Sequence, residues 1–171
     1  MGNYVIPQLL NNSTILLDTN FFIDSYSHSE GFKEFISSIK KANIELVTIN
    51  FVKFEFICSK TIDVVKKKEK YFNELVRVIL PFDKQAENQT LTLIEEYKQY
   101  MEGLPLTDLV LGACLKRYRG LYLFTRDHKD FPTSIYNRIH IFNIGLVRDI
   151  KTYGIYAYKS KKEILEEEIP F

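Results

Sequence analysis

The sequence predicts an α/β protein: a mainly parallel sheet of about five strands with helices over both faces. Three observations carry this. Short β-prone runs alternate with longer stretches of helical periodicity, the pattern of strand–helix–strand units. Runs such as "ILL" (15–17) and "LYLF" (121–124) are apolar without interruption, as strands buried on both faces must be. The chain has 171 residues, 46% of them apolar and 26% charged, which suits one globular domain with a real core.

Each element has its own warrant. Residues 14–17 read as a buried strand, and "FFIDSY" (21–26) as the start of a helix capped by Thr19 or Asn20. In "SEGFKEFISSIKKAN" (29–43), Phe32, Phe35, Ile36 and Ile39 recur at helical spacing. "IELVTI" (44–49) is a second strand. From Asn50 to about Arg77 the pattern is helical, with Phe51, Phe54, Ile57 and Cys58 sharing one face and Val64, Val65, Tyr71 and Leu75 another. "RVILPF" (77–82) is a third strand, closed by Pro81. Residues 83–101 are helical, with Leu91, Ile94 and Tyr97 apolar. After the breaker "GLP" (103–105), "LTDLVLGACLKRYR" (106–119) is a mostly apolar helix that Gly120 stops. "LYLFT" (121–125) and "IHIFNI" (139–144) complete the strands. With no repeat and no linker, residues 1–171 read as a single domain. Residues 145–171 form a C-terminal extension holding an aromatic piece, "YGIYAY", and a charged one, "KSKKEILEEEIPF".

Composition narrows the function classes. The net charge of +1 predicts no bulk attraction to a polyanion, so any nucleic-acid signal is local. No apolar run approaches the ~20 residues of a membrane span, and no basic stretch followed by an apolar one marks a secretory signal. A cytoplasmic protein without a membrane partner is the expectation. Cys58 and Cys114 belong to no CxxC pair and are expected to be reduced core residues. His28, His128 and His140 have no metal-ligand spacing.

The carboxylates carry the chemistry. In a parallel α/β sheet the ligand crevice lies outside the carboxyl ends of the strands. Asp18 ends the first strand, and Glu55 lies six residues past the second. Asp108 opens the helix before the fourth strand. Asp127 follows that strand, with Asp130 three residues on. Singly these are ordinary caps, turn residues or solvated charges. Brought together they would repel one another, and a hard divalent cation with oxygen ligands resolves that conflict. Such a site lowers the pKa of a bound water and polarises a phosphate oxygen, the chemistry of phosphodiester hydrolysis.

Four pieces in this order resemble the PIN-domain nucleases, and within them the VapC-like toxins of type II toxin–antitoxin systems: "LLDTNFFID" (16–24), "VTINFVKFEFI" (47–57), "LTDLVLGACLKR" (106–117) and "LYLFTRDHKDF" (121–131). The resemblance covers roughly residues 13–144. It implies a three-layer α/β/α sandwich and a Mg²⁺ or Mn²⁺ site that cuts RNA. It also implies catalytic roles for Asp18, Glu55, Asp108 and Asp127, with Asp18, Asp108 and Asp127 on the metal. Asn20, Thr125 and Asp130 would support them. A cognate antitoxin and a homodimer are the partners it implies, and the aromatic "YGIYAY" is expected to need burial, which also points to a dimer. The helix "DLVLGACL" departs mildly from the Ala-rich family pattern, and the long C-terminal segment departs more.

Between 116 and 129 five Lys/Arg face a single Asp. Arg117, Arg119, Arg126 and Lys129 are therefore candidates to hold an RNA backbone, with a solvated helix face as the alternative. "KKKEK" (66–70) reads as solvated. Two other classes compete with a nuclease. A phosphoryl-transfer domain of receiver or aspartyl-phosphatase type would need a second acid that "LLDTN" lacks, since residue 20 is Asn. A non-catalytic PIN-like adaptor would be expected to lose an acidic position, and all four are filled.

Overall fold

A computed structural model of the chain describes residues 4–98 and 103–159. Its sheet contains β1 (Thr14–Leu17), β2 (Glu45–Ile49), β3 (Val78–Leu80), β4 (Leu121–Thr125), β5 (Tyr136–Gly145) and β6 (Ile150–Tyr158). The helices are α1 (Thr19–Ser27), α2 (Ser29–Lys41), α3 (Asn50–Ile57), α4 (Ile62–Leu75), α5 (Lys84–Glu96) and α6 (Leu106–Arg117). The strand order is β3-β2-β1-β4-β6-β5. The first four strands are parallel. β6 runs antiparallel to both β4 and β5, so it alone is reversed.

The sheet has one strand beyond the approximate five. "YGIYAY" does not wait for a second chain: it enters the sheet between β4 and β5, with Tyr153, Ile155 and Tyr156 buried. Tyr153 stacks on Phe124 of β4, ring centroids 4.6 Å apart and 8° from parallel. The burial argument for a homodimer therefore falls. Of the charged segment "KSKKEILEEEIPF", only Lys159 lies within the described residues.

Helices α1 to α4 pack with one another, α2 reaching β5, while α5 and α6 pair with each other and α6 lies against β4 and β6. This is a layered α/β/α arrangement around a mostly parallel sheet. α6 is buried from Thr107 to Leu115. It can press closely on its neighbours because residue 112 is glycine: a Cβ there would stand 2.3 Å from the Tyr136 hydroxyl and 2.8 Å from Leu93 Cδ2. Gly120, at φ +81°, takes the left-handed turn that releases the chain into β4.

On α3 and α5 sequence periodicity picked out only part of the buried face. In α3 the buried residues are Val52 and Phe56, whereas Phe54 is 61% exposed and Cys58, just past the end, is also exposed. Of the expected face, Phe51 and Ile57 are half-buried against the core while Phe54 and Cys58 look outward, and only Cys114 is a core cysteine. The single helical stretch 50–77 is in fact two helices, broken between Cys58 and Thr61. On α5 the buried row is Ala86, Thr90 and Leu93, continued by Tyr97, with Leu91 outside.

The sheet edge that carries the chemistry is uneven. Thr125 at the end of β4 pairs with Gly154, which pairs with Ile141 of β5. β5 continues four residues further, to Gly145. The β5–β6 hairpin therefore overhangs the end of β4 by about 13 Å.

Candidate active site

Asp18 is delivered by the shortest route available: β1 ends at Leu17 and α1 begins at Thr19. Its extended backbone makes it the helix N-cap, and its Oδ1 accepts from the Thr19 amide at 2.5 Å. The cap is thus Asp18 itself, not Thr19 or Asn20. Its Oδ2 accepts from Asn20 Nδ2 and from the Thr125 hydroxyl, both at 2.6 Å. The Asn20 amide also lies 3.0 Å from Asp127 Oδ2, and the Thr125 oxygen accepts from the Asp127 backbone amide at 3.0 Å. Asn20 and Thr125 therefore lock two carboxylates, one from each of two adjacent parallel strand ends.

That lock leaves one group unpaired. Asn20 Oδ1 is buried with no hydrogen-bond partner among the described residues. Turning the amide over would set its oxygen against the Asp18 and Asp127 carboxylates, so the orphan is the lesser cost. Leaving a buried acceptor unmade costs about 1–3 kcal/mol.

Glu55 comes from the first turns of α3. It is exposed, yet it is fixed. Thr19 donates to its Oε2 at 2.6 Å, and Thr107 of α6 donates to its Oε1. Asp108 follows Thr107 in the buried first turn of α6 and is 4% exposed. One carboxylate oxygen from each of Asp108, Asp127 and Asp130 lies within 4.8 Å of the others. Asp130, a supporting candidate from sequence, thus stands in this trio, while Asp18 beside it accepts hydrogen bonds at both oxygens and keeps a lone pair for a cation. Tyr97 places Asp130 by donating to its carbonyl at 2.7 Å. His128 anchors the same loop, with Nδ1 2.7 Å from the Tyr156 hydroxyl. Neither Tyr97 nor His128 was legible as a site-building residue, because each acts through a partner distant in sequence.

The electrostatics are those of crowded acids. Burial, aided by the charges of Asp18, Asp130, Asp127 and Glu55, pushes Asp108 up to about 8. Burial likewise raises Asp18 to about 6, against the lowering effect of its Thr125 and Thr19 hydrogen bonds. Asp130 is raised as well, first by burial. At neutral pH and without a cation, Asp108 keeps its proton. A cluster of hard oxygen donors whose charges are disfavoured by burial and by one another is chemically suited to a hard divalent cation.

The basic stretch does not gather here. Arg117 closes α6, nine residues and about 13 Å along the helix from Asp108. Its guanidinium forks onto Asp83, the N-cap of α5, at 2.5 and 2.9 Å. Arg119 is exposed just beyond, at the end where β4 begins. Arg126 and Lys129 lie past the other end of β4, beside the acids. The strand between them separates what the sequence placed in one patch.

The sequence matches the PIN domain over residues 15–133, more than half its length. The chain belongs to the PIN-domain family. Membership supports a nuclease acting on nucleic acid, in a family that typically binds divalent metals. Comparison with curated proteins and with solved structures finds no match. Among the described residues no helix is long and apolar enough to cross a membrane.

Proposed function

We propose that this chain is a divalent-metal-dependent endoribonuclease that hydrolyses RNA phosphodiester bonds, and that it is the toxin of a type II toxin–antitoxin pair. The observation that carries the nuclease reading is the trio of Asp108, Asp127 and Asp130 at the carboxyl end of a parallel sheet, with Asp18 locked beside it. In this reading Asp18, Asp108 and Asp127 hold Mg²⁺ or Mn²⁺, with Asp130 as a further oxygen donor. The bound cation supplies charge to the phosphate and acidity to a water. Asn20 and Thr125 keep the acidic oxygens in place. Glu55, held by two hydroxyls yet open to solvent, is the residue placed to take a proton from the attacking water. Arg126 and Lys129, beside the acids, meet the RNA backbone; Arg117, engaged by Asp83, and Arg119 lie at the other end of β4 and would meet it only further along the RNA.

The test is cleavage of a labelled single-stranded RNA with Mn²⁺ or Mg²⁺, with chelator, and with Asp108→Asn as control. Cleavage that needs metal and disappears in the variant is the expected result. RNA binding without cleavage would instead make the chain a PIN-like adaptor. Growth arrest on expression, relieved by Asp108→Asn and by co-expression of a small neighbouring reading frame, tests the toxin role; cleavage without arrest would indicate an RNA-processing nuclease. Sedimentation tests the homodimer that the family resemblance implies.

A further inference from the structure

Asp24 is a charged residue in the wrong place for a solvated helix. It lies six residues past Asp18, about 9 Å along α1, and is only 6% exposed. A carboxylate taken out of water needs partners, and two are present. Tyr153 of β6 donates to Asp24 Oδ2 at 2.7 Å, and the same hydroxyl lies 3.2 Å from the Asn20 carbonyl. The second partner is Arg126, whose Nε is 3.3 Å from the same Oδ2.

Arg126 stands between two residues of the acidic site, Thr125 and Asp127, yet its side chain turns the other way, toward α1. It meets Asp24 through Nε, the nitrogen on its stem. Among the described residues its two terminal amino groups carry no hydrogen bond, and its side chain is 37% exposed. If neutralising Asp24 were its whole role, a lysine would do as well. A guanidinium held at the stem with both ends free has the form of a phosphate fork.

We propose that Arg126 holds a backbone phosphate of the RNA next to the one being cut, and that Asp24 is its positioning residue. This rests on the nuclease reading above. A free arginine side chain carries about 2 kcal/mol of rotamer entropy, part of which is lost before the RNA arrives when Nε is already tied. The position also suits the charge pattern: a polyanion approaching several carboxylates is repelled, and a fixed cation at their rim offsets that without joining them.

The experiment measures KM and kcat for Mn²⁺-dependent cleavage of a mixed-sequence single-stranded RNA. The full chain is compared with Arg126→Ala, Arg126→Lys, Asp24→Asn and the Asp24→Asn/Arg126→Ala double variant. Loss of one charge-assisted phosphate contact should raise KM about tenfold in Arg126→Ala, with kcat little changed. The salt slope of binding should also flatten by about 0.7. Asp24→Asn should raise KM by less, and the double variant no more than Arg126→Ala alone, because Asp24 acts through Arg126. Arg126→Lys keeps the counter-ion of Asp24, so the fold is preserved, and it should still raise KM. An unchanged KM in Arg126→Lys or Asp24→Asn, or an Asp24→Asn effect that adds fully to Arg126→Ala, overturns the inference and leaves the nuclease reading standing. A parent protein that does not cut RNA overturns both.

Discussion

The hydroxyl of Thr125 donates to Asp18 Oδ2 at 2.6 Å, bridging the ends of two adjacent parallel strands. Thr125 is fully buried and Asp18 is 3% exposed, so water cannot replace the bond. Thr125→Val keeps the shape and removes the donor. It should destabilise the protein by about 1–3 kcal/mol at neutral pH, read by urea unfolding. The loss should shrink below pH 6, where Asp18 carries its own proton. A pH-independent loss would show that packing, not the hydrogen bond, is what the substitution removes.

Asp108 is the member of the cluster whose charge is least tolerated. Asp108→Asn removes that charge at nearly constant shape. Without metal the variant should melt no lower than the parent, and above pH 7 higher. Its Mn²⁺-induced rise in melting temperature should shrink, because binding to the folded form stabilises by RT ln(1 + [L]/Kd), about 2.7 kcal/mol at a hundredfold excess. A variant with the parent's full Mn²⁺ response would remove Asp108 from the metal site.

The raised acids also set a pH dependence. Asp18, at about 6, and Asp108, at about 8, bind protons in the folded state at pH values where the unfolded chain, near 3.8, has released them. Stability from these groups is therefore lost as pH rises through 6 to 8 and gained as it falls toward 4. The metal-free protein should melt at a higher temperature at pH 6 than at pH 8. Saturating Mn²⁺ should flatten or reverse that difference, since the cation replaces the proton. Scanning calorimetry with chelator and with Mn²⁺ measures both curves.

Arg117 should behave as a structural residue. Its fork on Asp83 joins the end of α6 to the start of α5. Arg117→Ala should lower the melting temperature and leave RNA affinity and its salt dependence as they were. A flattened salt slope would return Arg117 to the RNA surface.

The two cysteines should titrate separately. Cys58 is exposed, while Cys114 is buried and its thiol is pushed up to about 12. A thiol reagent should modify one cysteine in the native protein and the second only on unfolding. Two fast thiols would contradict the packing of α6.

The ends of β1 and β4 and the acids at their tips were legible because the signal is local: an apolar run that stops at a carboxylate. What escaped was set by distant partners. α3, "NFVKFEFI", is apolar on nearly every side, so periodicity has no single face to choose, and packing against α1 and β2 decides. The fork of Arg117 onto Asp83 joins residues 34 apart, and nothing near either announces the other. "YGIYAY" was legible as β-like but not as an inner strand, because insertion between β4 and β5 depends on the gap those two leave. Asp130 joined the trio through a loop shape that Tyr97 and His128 impose.

The reversed strand ties competence to the order of synthesis. A ribosome releases the chain from its N-terminus, so Asp18, Glu55, Asp108 and Asp127 all emerge before Ile150. Until β6 follows, β4 is an open edge, and the tyrosine that touches the Asn20 carbonyl and Asp24 is missing. An unfinished chain holds every acid of the site but not the strand that braces it. Nascent chains arrested before residue 150 should therefore leave RNA intact, and those arrested well after 158 should cut it. Among the described strands β6 is the last to be made, so the acids gain their brace only once residues 150–158 have emerged.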